Sequence, residues 1–243
     1  MSRPRLYRAE NLTAGVAVQL AAGQAHYLGT VLRLGAGDDV LLFNAASGEW
    51  RARIEGLGRR GGSVVPVEQL RPAQEERGPT LWFATIKRAR LEMLVEKAVE
   101  LGATRLQPVL TARSVVDRVN AVRLTAIATE AAEQCGRLSL PELAEPRPLA
   151  ELLDAHVARG APLYFGATEG AAEPLALALT AHGDGPVLIG PEGGLAEGER
   201  QQLRGTGALP FTLGSRTLRA ETAAIAALAV WQSALGHSSP AGM

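Results

Sequence analysis

VLIGPEGGL (residues 187–195) reads as a short buried strand that runs into a glycine-rich turn, with a helix beginning near Ala196. Val187, Leu188 and Ile189 are strand-type residues. The three glycines that follow within five positions let the backbone bend sharply and come close to a ligand. A second unit of the same kind is TLGSRTLRAETAA (212–224): a strand end, a turn at Gly214, a polar loop and a helix opening at Glu221-Thr222. Strand, turn and helix repeated in this way imply an α/β fold with a mostly parallel sheet, whose ligands sit at the carboxyl ends of the strands. Both glycine loops fall at such ends. Neither is a P-loop or a dinucleotide fingerprint, because no Lys-Ser/Thr pair follows and the GxGxxG spacing is absent.

The alternation reaches back to residue 81. Leu81–Ile86 reads as a strand, and Lys87–Leu101 as an amphipathic helix with Leu91, Leu94, Val95, Ala98 and Leu101 at helical spacing and Gly102 to end it. Further strands are expected at Arg105–Leu110, Leu163–Gly166, Val187–Ile189 and Pro210–Leu213. Helices are expected at Ala121–Gln134, Leu149–Ala158, Pro174–Ala181, Glu197–Arg204 and Glu221–Leu235. The last of these is apolar nearly all round, which predicts burial on several sides. Its alanines permit close approach of a neighbouring element or subunit.

The first seventy residues have a different texture. Val16–Leu20, Val40–Phe43, Trp50–Leu57 and Ser63–Leu70 are short β-type runs separated by GAGDD (35–39) and GRRGG (58–62), the pattern of a small barrel. PAQEERGP (72–79) is polar, flanked by prolines, and reads as a linker. Two domains are therefore expected, residues 1–72 and 73–243.

Charge totals cancel, with 25 basic and 25 acidic side chains, but residues 1–71 carry nine Arg against six acids. Among the 25 basic residues only Lys87 and Lys97 are Lys, and Arg is the residue that grips phosphate bidentately. Cys135 is the only cysteine, which excludes an internal disulfide and a multi-Cys metal centre; no metal is expected. MSRPRLYRAE (1–10) has no apolar signal region. The longest strongly apolar run, Ala223–Trp231, is far short of the roughly 20 residues that span a bilayer. A cytoplasmic protein without a membrane anchor is expected, and the tail HSSPAGM (237–243) reads as disordered.

Together the two glycine units resemble the SPOUT class of methyltransferases. More narrowly, HYLGTVLRLGAGD (26–38), KRARLEMLVEKAVELGATRLQPVLTARSV (87–115), EAAEQCGR (130–137) and the two units resemble, in order, the ribosomal RNA small subunit methyltransferase E family. The resemblance implies an N-terminal PUA-like β-barrel that binds RNA, and a C-terminal SPOUT domain with a trefoil knot. It also implies a homodimer and S-adenosylmethionine-dependent methylation of N3 of a uridine in 16S ribosomal RNA near the decoding centre. The assembled small ribosomal subunit is then the expected partner. Two other readings stay open: another SPOUT enzyme acting on ribose oxygen or transfer RNA, and a non-catalytic RNA-binding protein that keeps the fold.

On the same basis Gly166, Ile189, Gly190, Gly193, Gly194, Leu213, Gly214, Leu218, Thr222 and Ala223 are implied to line the donor pocket. Glu192 either bonds a donor hydroxyl or shapes the loop. Apolar side chains would sandwich an adenine while loop amides and carbonyls meet its polar edge. N3 of uracil must lose a proton before it attacks, and negative charge then spreads over the ring. Arg219 is the candidate to stabilise that charge, with Glu221 orienting it or acting as base. Capping of the last helix is the plainer role for Glu221 and Thr222. Arg3, Arg5, Arg8, Arg33, Lys87, Arg113 and Arg137 are the candidates for RNA contact, the first three on an expected edge strand. Lys87, Arg88 and Arg90 crowd a helix start where the dipole prefers acids, a hint of a bound anion. His26 is expected to order the barrel, and Cys135, where the family has a small residue, to pack as a small hydrophobe.

Overall fold

Apolar and polar residues alternate from Trp50 to Glu55, and in the computed structural model this stretch lies in the sheet of the first of two units. The structure describes residues 3–114, 119–167 and 171–236, so the tail at 237–243 lies outside the described residues. The first unit comprises Met1–Glu76 and Ala132–Leu140, and the second Arg77–Ala131 and Pro141–Met243.

In the first unit β1 (Arg5–Tyr7), β2 (Val18–Leu20), β3 (Asp39–Asn44), β4 (Gly48–Gly58) and β5 (Gly61–Arg71) form one sheet in the order β1-β3-β4-β5-β2. Between β2 and β3, helix α1 (Ala22–His26) runs into a single π-helical turn, Tyr27–Val31. β4 and β5 are longer than the sequence reading proposed. Register shifts at Glu49/Trp50, Arg51/Ala52 and Ile54/Gly56 break the period-two pattern that reading depends on. Gly61 closes the hairpin at φ 143°, where an added Cβ would meet the Leu20 carbonyl at 2.6 Å. Leu6, Val18, Leu28, Val40, Leu42, Ile54 and Val64 make the core of this unit.

The second unit is built on a parallel sheet. Its strands are β6 (Thr80–Ala84), β7 (Arg105–Leu110), β8 (Glu142–Leu143), β9 (Arg147–Pro148), β10 (Tyr164–Gly166), β11 (Glu173–Pro174), β12 (Val187–Ile189) and β13 (Leu209–Thr212). They run in the order β11-β13-β10-β12-β6-β7-β8, with β9 also pairing β7. β8, β9 and β11 escaped the sequence reading because two residues show no periodicity. The helices are α2 (Arg88–Glu100), α3 (Ala121–Cys135), α4 (Leu149–Val157), α5 (Leu175–His182), α6 (Glu197–Gly205) and α7 (Ala220–Leu235). The last turn of α3, from Ala132, belongs to the first unit. Among the described residues no helix is long and apolar enough to cross a membrane.

Trp82, Phe165 and Leu188, from neighbouring strands, pack with Leu152, Leu195 and Leu203 in one cluster. Burying each such side chain is worth about 1.5–3 kcal/mol. This core fixes the strand ends from which both glycine loops leave. Helix α2 stops where the sequence proposed, with Leu101 as C-cap and Gly102 at φ 76°. α7 buries Ala224, Ala227, Leu228 and Trp231. It is pinned by Trp231 Nε1 donating to Asp184 Oδ1 at 3.0 Å and Gln232 Nε2 donating to the Leu101 carbonyl at 2.8 Å.

Candidate functional site

The loop after β12 folds as a turn in which the Gly194 N–H donates to the Pro191 carbonyl at 2.8 Å, with Gly194 at φ 72°. Gly190 has little room for a side chain, since a Cβ there would lie 3.2 Å from Leu195 Cγ. The loop is braced from outside. Arg113 Nη1 donates to the Gly193 carbonyl at 2.6 Å, and Glu199 accepts from the Ala112 N–H at 2.7 Å and the Ala196 N–H at 2.8 Å. The loop after β13 turns at Gly214, φ 116°, where the Thr212 hydroxyl bonds both the Gly214 carbonyl and its N–H. Arg219 is the N-cap of α7 in extended conformation, and no side chain caps the helix. The capping roles expected for Glu221 and Thr222 are therefore not filled: Glu221 is buried in the first turn and Thr222 is exposed.

These loops enclose a cavity of about 370 Å³ at the carboxyl ends of β10, β12 and β13. Of the residues expected at a donor pocket, Gly166, Ile189, Gly190, Glu192, Gly194, Leu213, Gly214, Leu218 and Ala223 line it, and Gly193 and Thr222 do not. The sequence reading missed Phe165, Leu195 and Phe211 on its walls, together with Arg200, Arg204 and Arg216. Arg200 and Arg204 stand four residues apart on α6. Their i, i+4 spacing was the available signal that they share a face.

Arg219 is exposed and does not line the cavity. Its expected partner Glu221 is 4% exposed, and its Oε1 lies 3.5 Å from Arg90 Nε. Glu221 therefore pairs with α2 and not with Arg219, because at the second helical position its side chain turns inward. Arg90 also holds Glu192 at 2.9 Å, while Arg88 pairs with Glu92 at 2.9 Å. Two of the three cations of the KRAR cluster are thus matched by protein carboxylates. Lys87, its N-terminal member, is exposed as the N-cap of α2.

In the first unit the expected RNA-contacting arginines separate into two groups. Arg5 is largely buried: it pairs with Glu49 at 2.6 Å, donates to the Ala132, Glu133 and Arg137 carbonyls, and lies 4.0 Å from the Phe43 ring centroid. Arg8 bonds Glu10, Gln24 and the Gln19 carbonyl. Arg137 is 8% exposed and pairs with Glu76 at 3.0 Å. All three are engaged by partners within the first unit. Arg3 keeps a half-exposed side chain, 3.8 Å from Asp39. Arg33 is exposed at φ 58°, an unusual conformation for a side-chain-bearing residue. Cys135 is exposed and does not pack as a small hydrophobe, and His26 is exposed at the end of α1. Among the described residues no group of three or more His, Cys, Asp or Glu is placed to hold a metal ion.

Comparison with known proteins places both units. Residues 74–232 match the model of an RNA methyltransferase domain, and residues 20–67 that of an RNA methyltransferase PUA domain. The ribosomal RNA small subunit methyltransferase E of Rickettsia conorii is 33% identical over 235 residues, covering 94% of this chain and 95% of that protein. The protein of the same name from Synechocystis sp. is 34% identical over 219 residues, 87% of this chain and 71% of its own length. The crystal structure of a ribosomal RNA small subunit methyltransferase E from Neisseria gonorrhoeae, bound to S-adenosyl methionine, superposes with a TM-score of 0.84 at 30% identity, covering 96% of this chain and 98% of that one. A putative methyltransferase of Legionella pneumophila, in complex with the bound cofactor SAM, gives 0.79 at 30% identity over 96% and 98% of the two chains.

Proposed function

The chain belongs to the ribosomal RNA small subunit methyltransferase E family, and from that premise we propose that it methylates N3 of one uridine in 16S ribosomal RNA, near the decoding centre, with S-adenosylmethionine as methyl donor. The observation that carries the reading is the cavity bounded by both glycine loops, within the part of the chain that matches the RNA methyltransferase domain.

The cavity residues fit the donor. About 370 Å³ falls within the usual range of small-molecule sites. Ile189, Leu195, Leu213 and Leu218 offer apolar faces to a purine, and the loop backbone offers donors and acceptors for its edge. Arg200, Arg204 and Arg216 supply cations for the donor's carboxylate. When bound, S-adenosylmethionine supplies a methyl group made electrophilic by its sulfonium.

The protein's own part is alignment and charge. Uracil N3 gives up its proton, and the negative charge that develops spreads onto the two ring carbonyls. Arg219 stands at the head of α7 with no ion pair among the described residues, and we assign it to that charge. Glu221 is buried against Arg90, so its role is to position the α7 head, and water takes the N3 proton. Arg3, Arg33, Lys87 and Arg113, all with exposed surface, are assigned to RNA phosphates. A homodimer is assigned to α7, where Ile225, Ala226 and Val230 stay partly exposed and Ala229 is exposed. The assembled small subunit is taken as the substrate because these few cations need a prefolded RNA surface to select one base.

Mass spectrometry of 16S ribosomal RNA from cells with and without the gene tests the reading. N3-methyluridine is expected to vanish in the deletion, to return with the wild-type gene, and to stay absent with Arg219→Ala. Its persistence in the deletion strain refutes the substrate assignment.

A further inference from the structure

Arg90 touches both halves of the site without entering it. From α2 its Nη1 reaches Glu192 Oε1 at 2.9 Å, in the first glycine loop, and its Nε lies 3.5 Å from Glu221 Oε1, in the first turn of α7. Glu192 lines the cavity, and so do Ala220 and Ala223 on either side of Glu221, but Arg90 does not. One planar guanidinium thus spans the loops that follow two different strands. A lysine, as a point charge, cannot match that two-sided geometry. The neighbouring cations are occupied elsewhere: Arg88 and Arg123 both pair with Glu92. Glu221 depends on the bridge most heavily. Its side chain is 6% exposed, and its Oε2 is buried with no hydrogen-bond partner.

We propose that Arg90 is a positioning residue for donor binding, a strut that sets the spacing between the GPEGG loop and the head of α7. The proposal rests on the cavity being the donor site. Glu192 then acts on the donor through loop geometry. Arg90 does not touch the donor at all.

Calorimetry with S-adenosylmethionine on the full-length protein tests this, with thermal unfolding of the donor-free protein as the control for folding. Arg90→Gln is expected to weaken donor binding about tenfold, because it removes the charge that spans Glu192 and Glu221. Arg90→Lys should recover only part of that loss. Because Arg90 and Glu192 act through one contact, Arg90→Gln combined with Glu192→Gln should bind the donor no more weakly than Arg90→Gln alone, within about twofold. In turnover assays the defect should appear mainly in the KM for the donor, with kcat largely restored at saturation. If removing the Glu221 partner prevents Arg90→Gln from folding, Glu192→Gln decides the question, because it leaves the buried Arg90–Glu221 pair in place. It should still weaken donor binding several-fold.

Donor affinities within about twofold of wild type for both single variants overturn the proposal. So do losses that simply multiply in the double variant. Failure of the wild-type protein to bind the donor is a separate result, since it removes the cavity assignment before Arg90 is tested.

Discussion

Gly166→Ala should make the protein slightly more stable and a poorer binder of its donor. Gly166 ends β10 and lines the cavity. A Cβ placed on it would sit 3.7 Å from Ile189 Cδ1, 3.7 Å from Phe211 Cζ and 3.8 Å from the Leu188 carbonyl, all ordinary van der Waals distances. Its backbone is not among the left-handed glycines, so alanine is not strained there. Replacing such a glycine restricts the unfolded chain and adds about 0.4–1 kcal/mol of stability. For a chain of this size that raises Tm by roughly 1–4 °C. Both side-chain neighbours are cavity walls, so the new methyl takes space a ligand would use. Forcing a methyl group's worth of extra volume into a filled site costs about 1–3 kcal/mol, a rise in Kd of about 5- to 150-fold. Thermal unfolding without ligand and calorimetry with S-adenosylmethionine read the two effects separately. A donor affinity equal to wild type, with Tm maintained, would refute the placement of the donor beside β10. A fall in Tm of several degrees would refute the local packing.

The other expectations concern charges. Arg137→Ala should lower stability by about 3 kcal/mol, as removing one partner of a buried pair does. It leaves Glu76 with the Leu138 N–H and Ser139 hydroxyl as donors. An unchanged urea midpoint with weakened RNA binding would return Arg137 to the ligand-binding group. Arg33→Gly should not destabilise, because it relieves a left-handed φ worth about 1 kcal/mol. It should weaken RNA binding and lower the slope of log affinity against log salt by about one; an unchanged slope removes Arg33 from the interface. Hydrogen bonds from Arg88, then Arg123, hold the Glu92 carboxyl below its ordinary range. Its contribution is therefore present above the ordinary carboxylate pKa and lost as pH falls through the lowered one. Arg123→Ala should bring the Glu92 pKa closer to the ordinary carboxylate value when followed by NMR titration, and no change in that pKa would discount the ion pair.

The helical and strand pattern of the second unit was legible because its elements repeat at 3.6 or 2 residues over enough length. α2 and β12 emerge where hydrophobic spacing puts them. Strands of two residues carry no such signal, and neither did the bulged ends of β4 and β5. Nor did the sequence mark Ala132–Leu140 as part of the first unit, a placement that depends on the backbone carbonyls Arg5 bonds.

At the site the division follows the range of the forces. Glycine content and apolar strand ends are local properties, and they were enough to locate two loops at the carboxyl ends of a parallel sheet; the pocket residues, nine of which line one cavity, came from the resemblance to the family. Which carboxylate meets which arginine is not local. Arg90 and Glu192 are 102 residues apart in the chain, and an ion pair forms only where the packed core brings two side chains within a few ångströms. For that reason the sequence pointed to Arg219 as the partner of Glu221, two positions away, while the tertiary structure supplied Arg90 from another helix.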